Sequence, residues 1–232
     1  MITEIRKNID KHLSLITKFK KDFKLRKSPN YSEITMIHSE QKLIFNENIE
    51  FRKGLFLFGM VRKDVKNYLK ENKDQVQLTN LPVNQTNANY QLENETIGID
   101  LNHAYWRIAF LKGYITENTY EKGLKEDLPK CIKLATLSTL GRPKVYEVFI
   151  KGKYDHTEVT KANNDLMTVY NDIRQSTYRI MQEIANDLGN DFFCWRTDCI
   201  YFKNTDSNCQ KVIGIVEKHN IGWKYEIKKK VS

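Results

Sequence analysis

At 232 residues, 40% of them apolar and 11% aromatic, the chain has material for one good-sized domain or two small ones with a true core. No apolar run approaches the roughly 20 residues that span a bilayer. The lysine-rich start MITEIRKNIDKHLSLITKFKKDF has no signal-peptide centre, so a soluble cytoplasmic protein without a membrane partner is expected. The net charge of +9 favours polyanionic partners, although a Lys-, Asn- and Ile-rich composition also follows from an AT-rich genome. Cys131, Cys194, Cys199 and Cys209 form no CxxC pair and lack zinc-ligand spacing with histidine, so reduced thiols are expected.

In chain order, Ile5, Ile9, Leu13, Ile16, Phe19 and Phe23 recur three and four apart, which predicts a helix with one buried stripe over residues 1–26. KSPNYS ends it. QKLIFN and GLFLFG read as short strands, and helical spacing resumes through Val61, Val65 and Leu69. Residues 74–95 are polar, rich in Asn and Gln, and read as a linker. They divide an N-terminal helical/β portion, 1–95, from a second domain, 96–232.

The second domain opens with a strand over 96–101 and a short helix over about 104–112, then a lysine-rich helical stretch to about residue 141. KVYEVFIKGKYDHTEV reads as a hairpin. The clearest helix is 165–188, with Leu166, Val169, Ile173, Ile180, Met181 and Ile184 on one face, Asn164 as N-cap and Gly189 past its end. DFFCWRTDCIYFKN gives strand, tight turn, strand, before a helix over 207–219 and a last strand in GWKYEIKKK. This order predicts an α+β fold, an antiparallel sheet backed by helices. Such a fold says nothing about chemistry by itself.

Two acids stand in unusual settings. Asp100 ends the apolar run IGID, and Asp198 sits at the tip of the hairpin around RTD. Asp100 reads either as a cap for the following helix or as a metal ligand; Asp198 reads either as an ordinary turn residue or as its companion. Two carboxylates at one sheet edge repel, and a divalent cation would neutralise both. Mg²⁺ prefers one or two carboxylates plus substrate phosphates.

In this order the motifs resemble the palm of family B DNA polymerases over roughly residues 96–230. That family's first motif, D-x-x-S-L-Y, is similar to DLNHAY at Asp100–Tyr105. Its second, K-x-x-x-N-S-x-Y-G, is similar to KLATLSTLG, which keeps Lys133, Ser138 and Gly141. Its third, D-T-D-S between apolar strands, is similar to RTDC, which keeps Thr197 and Asp198. The resemblance implies a palm-like fold and a minimal DNA polymerase or nucleotidyltransferase of DNA replication. It would use two Mg²⁺ or Mn²⁺ ions, nucleoside triphosphates and primer-template DNA. Asp100 and Asp198 would be catalytic and hold the metals, with Glu226 as a further metal ligand. The Leu101 backbone would face the triphosphate, Tyr105 would lie under the sugar, and Lys133 would pair with the triphosphate, with Lys122, Lys125 and Arg196 as further phosphate contacts.

The departures are equally specific. Arg196 stands where the family has an Asp, Cys199 where it has Ser, Leu137 where it has Asn, and Leu140 where it has Tyr. With 33 residues between Asp100 and Lys133 the fingers would be very short; no thumb is expected after Ser232, nor an exonuclease before residue 95. A larger replication complex would then supply the missing grip, and such a stripped-down core suggests a phage or mobile element. Two alternatives remain at this level. One is a catalytically inactive palm-derived module that binds nucleic acid or protein. The other is a ribonuclease-H-like nuclease, for which IGIDLN would be the first strand and Asp165, Asp172 and Glu183 the further acids.

Overall fold

A computed structural model of the chain describes residues 3–6, 9–18, 22–28, 31–39, 42–45, 49–72, 76, 80–88, 96–125, 128, 130–161 and 163–226. The elements begin with β1 (Thr3–Arg6), α1 (Ile9–Lys18), β2 (Phe23–Ser28), β3 (Tyr31–Met36), β4 (Lys42–Phe45) and α2 (Ile49–Asn72). Next come β5 (Asn84–Thr86), β6 (Thr96–Asn102), α3 (Ala104–Leu111), α4 (Glu117–Leu124), α5 (Lys130–Ser138), β7 (Val145–Ile150) and β8 (Lys153–Val159). The last are α6 (Asn164–Leu188), β9 (Phe192–Arg196), β10 (Cys199–Lys203), α7 (Asp206–Lys218) and β11 (Gly222–Glu226). The fold is α+β, as the order of elements implies.

Residues 1–62 and 122–167 form one compact unit, and 63–121 with 168–232 form the other. The units interleave along the chain, which passes between them within α2, α4 and α6. They therefore differ from the two successive domains expected on either side of residue 95.

The first unit carries a six-stranded sheet in the order β1-β4-β3-β2-β7-β8, antiparallel except for the parallel β1–β4 pair. The helix expected over 1–26 is confined to α1. Ile9 and Ile16 keep the helical stripe, whereas Phe23 and Leu25 alternate inward along β2, and all four join Ile34, Leu43 and Phe45 in one core. GLFLFG is helical rather than extended. Leu57, Val61 and Val65 are fully buried at four-residue spacing, and a short apolar run cannot be told from strand by periodicity alone. The 144–159 hairpin forms as expected, turning at Lys151 and Gly152 with φ of 52° and 80°. Asn163, one residue before the expected cap, accepts the Leu166 N–H at 3.1 Å. Phe19, the break at residues 29–30 and the end of the last strand at 227–230 lie outside the described residues.

The second unit carries a five-stranded antiparallel sheet, β11-β6-β10-β9-β5. Taken as β6, β9, β10 and β11, its four principal strands lie in the order 4-1-3-2. The first is joined to the second through α3, α4, α5, the β7–β8 hairpin and α6, and the third to the fourth by α7, a β-α-β-β-α-β order whose first crossover carries an inserted hairpin. Ile99, Leu101, Trp195, Ile200 and Phe202 face one side of this sheet and are fully buried. The buried residues of α3, α6 and α7, among them Ile108, Ile173, Met181, Val212 and Val216, supply apolar surface for this unit. The expected linker is partly built into the sheet. Asn84, Gln85 and Thr86 pair with Arg196, Trp195 and Cys194, and Gln175 on α6 brackets Leu81 by accepting its N–H (2.7 Å) and donating to its carbonyl (3.2 Å). Polar side chains there satisfy an edge strand. The remainder of 74–95 is largely outside the described residues.

Candidate functional site

The hairpin β9–β10 closes on a two-residue turn, Thr197–Asp198, between the paired residues Arg196 and Cys199. Thr197 takes a left-handed φ of 58°, which a tight hairpin turn requires. On its other side β10 pairs with β6 so that Cys199 lies opposite Asp100, and the Leu101 N–H donates to the Asp198 carbonyl at 2.9 Å. The α-carbons of Asp100 and Asp198 are thereby at most about 9 Å apart, the sum of one chain step and one cross-strand step. Asp198, at the hairpin tip, thus stands beside Asp100 at one end of the β6–β10 pair.

Because side chains alternate along a strand, Asp100 points away from the face of Ile99 and Leu101. Across the sheet it shares a row with Lys224 on β11, Cys199 on β10 and Arg196 on β9. The Lys224 ammonium reaches Asp100 Oδ2 at 3.0 Å. That bond raises the ammonium above its ordinary range, and the charges of Glu226 and Asp198 add to the effect. Three carboxylates therefore act on one lysine. Sequence reasoning missed Lys224; its alternation with Trp223 and Tyr225 in GWKYE was the available signal.

The next row contains Glu226, Gly98, Tyr201 and Cys194. Gly98 has no side chain, and Glu226 reaches over the central strand to the far side. There its Oε2 accepts from Cys199 Sγ at 2.8 Å and from the Tyr201 hydroxyl at 2.8 Å. A Cβ at position 98 would lie 2.8 Å from the Tyr201 ring and 2.9 Å from the Glu226 carbonyl oxygen. Burial, reinforced by the carboxylate, pushes the Cys199 thiol well above its usual range, and burial with the Cys199 and Glu226 bonds does the same to the Tyr201 phenol. The thiol is thus a protonated hydrogen-bond donor. A glycine between Ile97 and Ile99 inside a strand was a legible sign of close approach.

Tyr105, in the first turn of α3, is half-buried, and its hydroxyl lies 3.3 Å from that of Tyr178 on α6. Arg174 Nε donates to the Tyr178 hydroxyl at 3.3 Å, and its guanidinium lies over the Tyr170 and Tyr178 rings. Burial chiefly, then the Tyr178 bond and the Asp198 charge, hold Tyr105 protonated. Tyr105 is therefore fixed beside the acids by a partner on α6 that the motif comparison did not include.

Other expected contacts are placed differently. Leu101 has its N–H bound to Asp198 and its side chain buried, so that amide is already engaged rather than turned to a phosphate. Arg196 is exposed at the end of β9. Lys122 lies in the last turn of α4, Lys125 follows that helix, and Lys133 on α5 donates to the Leu124 carbonyl at 3.2 Å; all three belong to the first unit. Of the acids required by the nuclease alternative, Asp172 is buried and accepts from Lys112 and Tyr114, each at 2.6 Å. Glu183 binds Lys218 at 2.9 Å and His219 at 2.7 Å, while Asp165 lies in the first turn of α6.

As donors for a divalent cation, Asp100 and Asp198 are the right kind of group, hard oxygen anions on β6 and on the turn of the adjoining hairpin. Glu226 does not join them in a three-ligand group: its Oε2 is turned to Cys199 and Tyr201, and no such group of His, Cys, Asp or Glu occurs among the described residues. No helix among those residues is long and apolar enough to cross a membrane. Compared with family models, curated proteins and solved structures, the chain finds no match in any of the three.

Proposed function

We propose that the second unit is a reduced palm-like nucleotidyltransferase, acting on nucleoside triphosphates and a primer-template DNA with Mg²⁺ or Mn²⁺. The observation that carries this reading is the Leu101 N–H···O=C Asp198 bond of 2.9 Å, which sets Asp198 beside Asp100 within the β-α-β-β-α-β sheet. Asp100 and Asp198 would hold the cation. The chemistry such ions supply is activation of a hydroxyl and neutralisation of charge at the reacting phosphate. Lys224 and Arg196, on either side of Asp100 in one row, would offer positive charge to the triphosphate, and Tyr105, fixed by Tyr178, would present a rigid aromatic surface to the sugar. A replication complex of phage or mobile-element type would supply the grip of a thumb and full fingers.

Lys224 bound to Asp100 favours a second reading, a palm-derived module that binds nucleic acid without turnover, since a cation already faces one acid. Primer extension with Mn²⁺ separates the two. Incorporation that falls at least about a hundredfold in Asp100→Asn and Asp198→Asn supports the transferase. No incorporation by the parent, together with salt-sensitive DNA binding, supports the module.

A further inference from the structure

We infer that Lys224 is the resident cation of the Asp100 carboxylate and takes the place of one of the two divalent ions, so that the site holds a single ion. The inference rests on reading Asp100 and Asp198 as a cation site. Register makes it possible: Lys224 lies directly opposite Asp100 across β11 and β6, on the same face, and its ammonium is 3.0 Å from Oδ2. Glu226, two residues along the same strand, would be the natural third oxygen ligand for a second ion, yet its Oε2 crosses Gly98 to Cys199 and Tyr201. The acids near Lys224 are Asp100, Glu226 and Asp198. A second dication at Asp100 would have to lie against the ammonium, and two like charges at that range oppose each other.

The pair is open to water, with side chains 58% and 24% exposed, so an ion could displace the lysine, and a measurement decides. Mn²⁺ alone is titrated into the parent chain and into Lys224→Met, which keeps an unbranched side chain without the charge, with Lys224→Arg as the charged control. Expected are one ion in the parent and in Lys224→Arg, and two in Lys224→Met. The added ion should be lost when Asp100→Asn is combined with Lys224→Met. Equal ion counts in the parent and Lys224→Met overturn the inference and leave the transferase reading standing. Binding by Lys224→Met but not by the parent overturns the single-ion inference together with the metal-dependent reading of the native chain. No ion on any of the proteins overturns both.

Discussion

On one face of the five-stranded sheet, Ile99, Trp195, Ile200 and Phe202 have no exposed surface; on the other, Lys224, Asp100, Cys199 and Arg196 line up across four strands. The same strands build both faces, residue by alternate residue. What separates them is what each side chain requires. The apolar face needs shape and exclusion of water; the other needs a partner for every charge or buried donor. A one-residue slip of β6 would exchange Asp100 for Leu101 and bury an acid where the core now lies, so the apolar face fixes the register on which the opposite face depends.

The largest expected effect tests that division. Trp195→Ala should cost about 3–5 kcal/mol, as loss of a fully buried aromatic does, whereas its neighbour Arg196→Ala should stay within about 0.5 kcal/mol. Urea denaturation of the two variants reads this directly. Comparable losses would mean that the two faces are not energetically distinct.

A smaller effect is expected where the faces meet, in the central strand. Gly98→Ala introduces a Cβ 2.8 Å from the Tyr201 ring and 2.9 Å from a backbone oxygen of β11, so a ring and a strand must both move. The expected destabilisation is about 1–3 kcal/mol. Native-state alkylation of Cys199 should quicken in the same variant, because the reach of Glu226 across the strand is disturbed. Unchanged stability and unchanged alkylation would show that the glycine is incidental to the crossing.

Much of this sheet was legible. Alternation placed β6, β9 and β10, and the turn at RTD gave the hairpin, because period-two burial and turn chemistry are local properties. The position of Asp198 beside Asp100 followed once those strands paired. The partners were not legible. Lys224 lies 124 positions from Asp100, and their pairing comes from sheet order, which no window of sequence contains. Tyr178 drew no notice within the helical stripe of 165–188, because its bond to Tyr105 depends on how α3 and α6 meet. The N-terminal third went astray for the reverse reason: Phe23 continued a three–four spacing by coincidence, and GLFLFG has the composition of a strand although Leu57 and Val61 bury at helical spacing. Asn- and Gln-rich polarity suggested a linker, yet those side chains serve edge strand β5, which exposes them to water.

The mildest test concerns pH and the thiol at the centre of the polar face. Burial and Glu226 keep Cys199 protonated in the folded chain above the range in which an unfolded cysteine, near pH 8.5, gives up its proton. Below about pH 8.5 both states carry the proton and the thiol contributes no slope. Above it the unfolded chain binds fewer protons than the folded one, so stability should fall as pH rises. The loss is at most about 0.8 kcal/mol at pH 9, and less wherever water screens the site. Cys199→Ser keeps a donor for Glu226 but does not titrate there, so the difference between its stability and the parent's, followed from pH 7 to 9.5, isolates the thiol. Parallel pH curves would mean that Cys199 ionises as freely in the folded chain as in the unfolded one. The carboxylate would then not be holding it, and the reach of Glu226 over Gly98 would carry no energetic weight.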